Sequence, residues 1–225
     1  MKRRAIVLID GQNLFHAARR EFGYTAPNFD AQKIARVVCD RTDSVLHQTR
    51  FYSGVPAAHV DPWWHAFWAN KCCQMERSSI TTVTRPLRVH NEDGHAVFAE
   101  KGIDLRIGLD MVRAAQEGEA DMLILVSADQ DFVEAVREAR QVARQAGRKL
   151  GVASAYPAAS GARHGVYQTE WLPISASEYA LCLDPRDYRP SERQLLSLTQ
   201  GPAALGPTTR KLLPWPRRST RPRPG

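Results

Sequence analysis

The chain has 225 residues, 43% hydrophobic and 24% charged, and its 31 basic side chains against 24 acidic ones leave a formal charge of +7. This balance lies near the globular average and excludes a chain disordered throughout, and no run approaches the roughly 18 uninterrupted apolar residues of a membrane span. Cys39, Cys72, Cys73 and Cys182 form no CxxC pair and have no histidine at zinc spacing, which argues against a zinc knuckle or a disulfide framework. The basic start, Met1 to Arg4, lacks the apolar stretch of a signal peptide, so a soluble, cytoplasmic protein with reduced thiols is expected.

Arg4 to Ile9 is a short continuous apolar run, the pattern of a strand buried on both faces of a parallel sheet. Asp10-Gly11 ends it, and Leu14, Ala17, Ala18 and Phe22 then repeat at helical spacing, with Asn13 as the expected N-cap. A second helix is expected over 30–40, with Ile34, Val37 and Val38 inward, followed by a strand over 46–53. Asp61 and Pro62 open a third helix as cap and first residue. Its Trp64, Phe67 and Trp68 share one face and read as core rather than as a base-stacking platform, with Trp63 exposed; the segment would also serve as a homodimer surface. Residues 80–89 read as a strand, 91–94 as a turn, and 101–117 as a helix burying Ile103, Ile107, Leu109 and Met111. A second fully buried strand over 121–127 leads to a helix from Asp131 to about Gly147, a strand over 150–154 and an edge strand over 171–174. Strands separated by helices imply right-handed crossovers and an α/β sandwich.

That domain is expected over 1–183. From Asp184 onward nine basic residues face three acidic ones, a net of +6, and the segment holds eight of the fourteen prolines. Proline removes donors and fixes φ, so 184–225 is expected to be a flexible basic extension, either simply solvated or a tether for phosphate backbones.

The two buried strands end alike, in Asp10-Gly11-Gln12-Asn13 and in Ser127-Ala128-Asp129-Gln130-Asp131. Ligand sites in open parallel sheets lie beyond the carboxyl ends of the strands where strand order reverses, so neighbouring strands there would bring Asp10, Asp129 and Asp131 together. Asp104, near a helix start, is placed to face the same ends. Clustered carboxylates repel one another, and a persistent all-oxygen cluster implies Mg2+ or Mn2+. Taken singly, each aspartate is as well explained as a helix cap, Asp131 best of all because a helix follows it directly. Asp110 reads as a helix-surface or supporting residue. Lys101 would either steer phosphate or simply solvate the helix start, and Arg85, Arg88 and His90 are expected to line a substrate path.

In this order and at this separation, Ile9-Asp10-Gly11-Gln12-Asn13, Lys101-Gly102-Ile103-Asp104 with Asp110-Met111, and Ser127-Ala128-Asp129-Gln130-Asp131-Phe132 resemble the motifs of the NYN domain family, a group of PIN-like nucleases. The resemblance covers roughly residues 4 to 174. It implies a PIN-like three-layer sandwich with a mostly parallel sheet of order 3-2-1-4-5, and a metal-dependent endoribonuclease acting on single-stranded or structured RNA. Carried over by position, the metal-site acids fall on Asp10, Asp104, Asp129 and Asp131, and a conserved asparagine falls on Asn13. Ser127 is retained beside the substrate, whereas Ala128 stands where the family usually has glycine. The implied reaction is hydrolysis by a metal-activated water, with Asn13 orienting the scissile phosphate or a ligating carboxylate. The alternative is a catalytically inactive PIN-like RNA-binding module, against which the retained acids argue, because bare carboxylates repel RNA. A phosphatase of the haloacid-dehalogenase type would need Asp-x-Asp after the first strand, where this chain has Asp10-Gly11-Gln12.

Overall fold

In the computed structural model, residues 2–92, 95–99, 102–159 and 164–199 are described, those at 88–92, 95–99 and 199 by backbone alone. Strand β1 (Arg3–Asp10) leads into helices α1 (Gly11–Phe22) and α2 (Ala31–Arg41), then β2 (Ser44–Val55), α3 (Pro62–Arg77) and β3 (Thr81–Pro86). Strands β4 (Arg88–Glu92) and β5 (His95–Ala99) pair antiparallel in a hairpin apart from the main sheet. Helix α4 (Ile103–Glu117), β6 (Met122–Val126), a 3-10 turn (Gln130–Phe132), α5 (Val133–Gln145), β7 (Gly151–Pro157), β8 (Glu170–Ile174), α6 (Ala176–Leu181) and α7 (Glu192–Thr199) follow.

The main sheet is ordered β3-β2-β1-β6-β7-β8, and every adjacent pair is parallel. Numbered among themselves, its strands run 3-2-1-4-5-6, the expected order with the expected edge strand added. Residues 5–9 of β1 are all fully buried, and each of the Ile, Val and Leu side chains so removed from water contributes roughly 1.5–3 kcal/mol. Ala5, Val7 and Ile9 join the core under α1, α2 and α3, while Ile6 and Leu8 join Ile107 and Met111 of α4 and Val136 of α5. Alternation along the strand thus divides one apolar run between two helical layers, which makes the three-layer sandwich. None of the described helices is long and apolar enough to cross a membrane.

Helix α3 opens as expected, with the Asp61 carboxylate accepting from the N–H groups of Trp63 and Trp64 and Pro62 in the first turn. Trp64, Phe67 and Trp68 are buried, and Trp68 stacks on Phe51 with ring centroids 5.8 Å apart. Trp63, expected to be exposed, is partly buried and stacks on Phe67 at 5.7 Å. These rings pack into the body rather than presenting a dimer surface. Leu109, expected inward, is 55% exposed. Each helical residue turns by about 100°, so Leu109 stands about 200° around α4 from the buried Ile107.

Residues 184–199, expected to begin the flexible extension, pack against α3 instead. Lys71 of α3 is fully buried; its Nζ donates to the Phe29 carbonyl at 2.8 Å and lies 3.7 Å from the Asp184 carboxylate. It also sits over the rings of Phe29 and Tyr188, at 5.1 and 4.6 Å from their centroids. Asn70 donates to the Tyr188 carbonyl and accepts from Gln194 of α7. A buried ammonium is costly unless a counter-charge and a carbonyl meet it, and the counter-charge comes from beyond residue 183. The fold therefore continues to Thr199; residues 200–225 lie outside the described residues.

Candidate active site

Strand β1 has β2 on one side and β6 on the other, so strand order reverses at its carboxyl end, where Asp10 stands. Asp10 is 1% exposed and has extended backbone angles, and it is the N-cap of α1: its Oδ1 accepts the Asn13 N–H at 3.0 Å. Asn13, expected to be the cap, is instead the third helical residue whose donor is capped. The helix begins at once after the strand because Gly11 carries no side chain; a Cβ there would collide with the Phe51 ring and come 3.0 Å from the Tyr52 carbonyl oxygen. The partial positive charge of a helix N-terminus favours a carboxylate at this place.

Strand β6 delivers the second motif beside the first, with Ile9 in register with Val126. Ser127 is buried and donates from Oγ to Asp10 Oδ2 at 3.4 Å, and its Oγ accepts the Asp129 N–H at 3.2 Å. Asn13 Oδ1 accepts the Ala128 N–H at 3.3 Å. The two motifs, 115 residues and more apart, are thereby laced together through side chains of both. Asp129, not Asp131, caps the helix that follows: its Oδ1 accepts the Asp131 N–H at 3.1 Å. Asp131 is exposed in the 3-10 turn.

Asp104 lies in the first turn of α4. The preceding residue, Ile103, is buried in the same cluster as Phe132, the last residue of the 3-10 turn. Among the described residues no three His, Cys, Asp or Glu side chains are grouped closely enough to hold a metal ion. Among the described residues the four expected acids are thus not one preformed cage; Ser127 Oγ links the Asp10 carboxylate to the Asp129 backbone N–H. Mg2+ is commonly held by one or two carboxylates together with waters and substrate phosphates, and this donor set suits that kind of binding.

Asp110 is buried and engaged, accepting from the Tyr52 hydroxyl at 3.0 Å and from Arg106 Nε at 2.9 Å. Tyr52 is in register with Asp10 across β1 and β2, so Asp110 ties α4 to the strand beside the site. Burial, then the Asp110 charge, pushes the Tyr52 hydroxyl far above the usual tyrosine range, and it stays a donor. Arg85 is exposed on β3, two residues beyond Val83, which shares the row of Asp10 and Tyr52. Two strand spacings place it about 10 Å from β1, along the same edge of the sheet. Lys101 lies outside the described residues, as do the side chains of Arg88 and His90, whose backbones belong to β4.

Two residues at the site carry no signal in the sequence. Tyr52 sits inside a strand, and Gln130 bonds through its side chain to residues 165 and 167; a spacing of 35 residues or more leaves no local pattern. Residues 4–159 match a family model described as NYN domain. A crystal structure of a protein of unknown function from Vibrio parahaemolyticus is similar at 20% identity and a TM-score of 0.47, over 84% of this chain and 96% of that one. No curated protein matches.

Proposed function

The chain belongs to the NYN domain family, a family of PIN-like nuclease fold, and from that premise we propose that it is a metal-dependent endoribonuclease with its centre at Asp10, Ser127 and Asp129. The observation that carries this reading is that one serine, Ser127, links the Asp10 carboxylate to the Asp129 backbone N–H at the point where strand order reverses. Asp10 and Asp129 would hold the cation, with Asp104 and Asp131 completing the acid set. Mg2+ or Mn2+ bound there supplies Lewis acidity and a water acidified toward neutral pH.

The chain's own groups do the rest. Ser127 holds the Asp10 carboxylate through Oδ2 and the Asp129 backbone through Oγ, which sets the spacing of the pair. Asn13 accepts the Ala128 N–H in the turn that follows Ser127, and its amide would orient the scissile phosphate or a ligating carboxylate. The N-terminus of α1 favours an anion at the same place. Arg85, with Arg88 and Lys101, would meet phosphates on either side of the cut, as guanidinium and ammonium groups do without regard to sequence.

The test is incubation of 5′-labelled single-stranded RNA with the protein under Mg2+, Mn2+ or EDTA. Internal cleavage in the metal lanes alone, leaving 5′-phosphate and 3′-hydroxyl ends, is the expected result. RNA left intact in every lane contradicts the proposal, and binding without cleavage leaves the inactive RNA-binding module in its place.

A further inference from the structure

Gln130 fastens the Ser127–Asp131 segment to a second feature. Its Nε2 donates to the carbonyls of Ala128 at 3.2 Å and Gly165 at 3.0 Å, and its Oε1 accepts the Tyr167 N–H at 3.1 Å. The residue that follows Asp129 therefore positions the loop that carries Tyr167. Val166, inside that loop, is fully buried in the α4–α5 core. Its N–H donates to Ser154 Oγ at 3.0 Å, and its carbonyl accepts from Thr169 Oγ1 at 2.7 Å and Trp171 Nε1 at 2.9 Å.

This anchoring leaves the neighbouring rings at the surface. Tyr167 is 56% and Trp171 38% exposed, and His164 is exposed as well. The Trp171 ring centroid lies 6.4 Å from that of Tyr167 and 4.9 Å from that of His164. Three clustered rings thus lie at the surface of a loop held by five hydrogen bonds. Alongside, Arg140 of α5 donates to the Gln168 carbonyl, and Arg137 and Arg144, one turn to either side, are exposed. Burial, then the charge of Arg144, lowers the pKa of Arg140, so an anion here relieves a repulsion already present.

We propose that Tyr167, Trp171 and His164 form a stacking platform for unpaired bases of single-stranded RNA, with Arg137, Arg140 and Arg144 following its phosphates. The inference rests on the nuclease reading and names the substrate class of that site. Every base has a π-face, and stacking of this kind takes unpaired bases while a duplex hides them. Aromatic rings beside a row of cations match a strand that alternates bases with phosphates, and through Gln130 the platform is held next to Asp129.

The test uses full-length protein carrying Asp10→Asn, expected to hold RNA without cutting it, and three probes: a single-stranded oligoribonucleotide, a strand of equal length without bases, and a duplex. Tyr167→Ala is expected to weaken binding of the base-bearing strand by roughly tenfold and to leave the abasic strand and the duplex unchanged. Tyr167→Phe keeps the ring and should bind as the parent does. Arg144→Ala should weaken the base-bearing and abasic strands alike. In the otherwise unmodified enzyme, Tyr167→Ala should raise KM at constant kcat. Equal effects of Tyr167→Ala on the base-bearing and abasic strands, or none on either, overturn the platform, while cleavage by the unmodified chain keeps the nuclease reading. A chain that neither binds nor cuts RNA overturns both.

Discussion

Asp10 accepts the Asn13 N–H with one oxygen and faces the Ser127 hydroxyl with the other, so a change at this position alters a helix cap as well as the site. Asparagine caps as well as aspartate, whereas alanine loses about 1 kcal/mol. Urea denaturation should therefore find Asp10→Asn within about 0.5 kcal/mol of the parent and Asp10→Ala less stable by about 1 kcal/mol; equal losses in the two would contradict the cap. That aspartates close both strands is plain in the sequence, and so is a helix after each. Which residue caps is not, because capping depends on backbone angles. Asp10 and Asp129 hold ψ at 99° and 126°, and so take the role expected of Asn13 and Asp131. Tyr52 and Gln130 lay further from view still, since each acquires its meaning from partners brought near only by the fold.

Among the elements, the buried strands were the most legible, because a run such as Ala5 to Ile9 has no other stable place than between two layers. The stretch from Asp184 to Thr199 was the least. Its prolines and charges read as an extension, yet the partner that orders it, Lys71, hides within the aromatic helix α3. Burial lowers the Lys71 ammonium from 10.5 to about 8, against the opposing pull of Asp184, Asp30 and Cys72. The unfolded chain thus binds one more proton than the folded one between those values, and stability rises with pH wherever that holds. The cost of the buried charge is complete below about pH 8 and is relieved as pH climbs toward 10.5. The stability of the parent minus that of Lys71→Met, followed by denaturant titration, should increase across this window. Subtraction removes the contrary effect of Cys72, whose thiol burial raises to about 12. A flat difference would show that Lys71 titrates in the fold as it does in water.

For the whole molecule, the charge of +7 divides more sharply than the sequence suggested. Residues 184–199 hold three basic and three acidic side chains, so the whole +6 excess of the C-terminal segment falls in 200–225, which has six basic residues and no acidic one. Two truncations separate folding from charge. Ending the chain at Thr199 should keep the thermal midpoint of unfolding and weaken RNA binding with a shallower salt dependence, because fewer counterions are released. Ending it at Leu183 removes Asp184 and Tyr188 from Lys71 and should lower the midpoint too. Identical midpoints would contradict the packing of 184–199 on α3, and unchanged affinity at Thr199 would make the last stretch a bystander.

The folded body then carries nearly balanced charge around a pair of acids, and the account depends on that pair being the chemical centre. The most direct measurement is cleavage of labelled single-stranded RNA in Mg2+ by the parent, Asp10→Asn and Asp129→Asn, with folding of each checked by its unfolding curve. The account predicts folded variants in which cleavage falls by a hundredfold or more, on the order of 3 kcal/mol of barrier, while RNA binding persists. Cleavage undiminished in folded Asp10→Asn and Asp129→Asn would place the chemistry elsewhere in the chain.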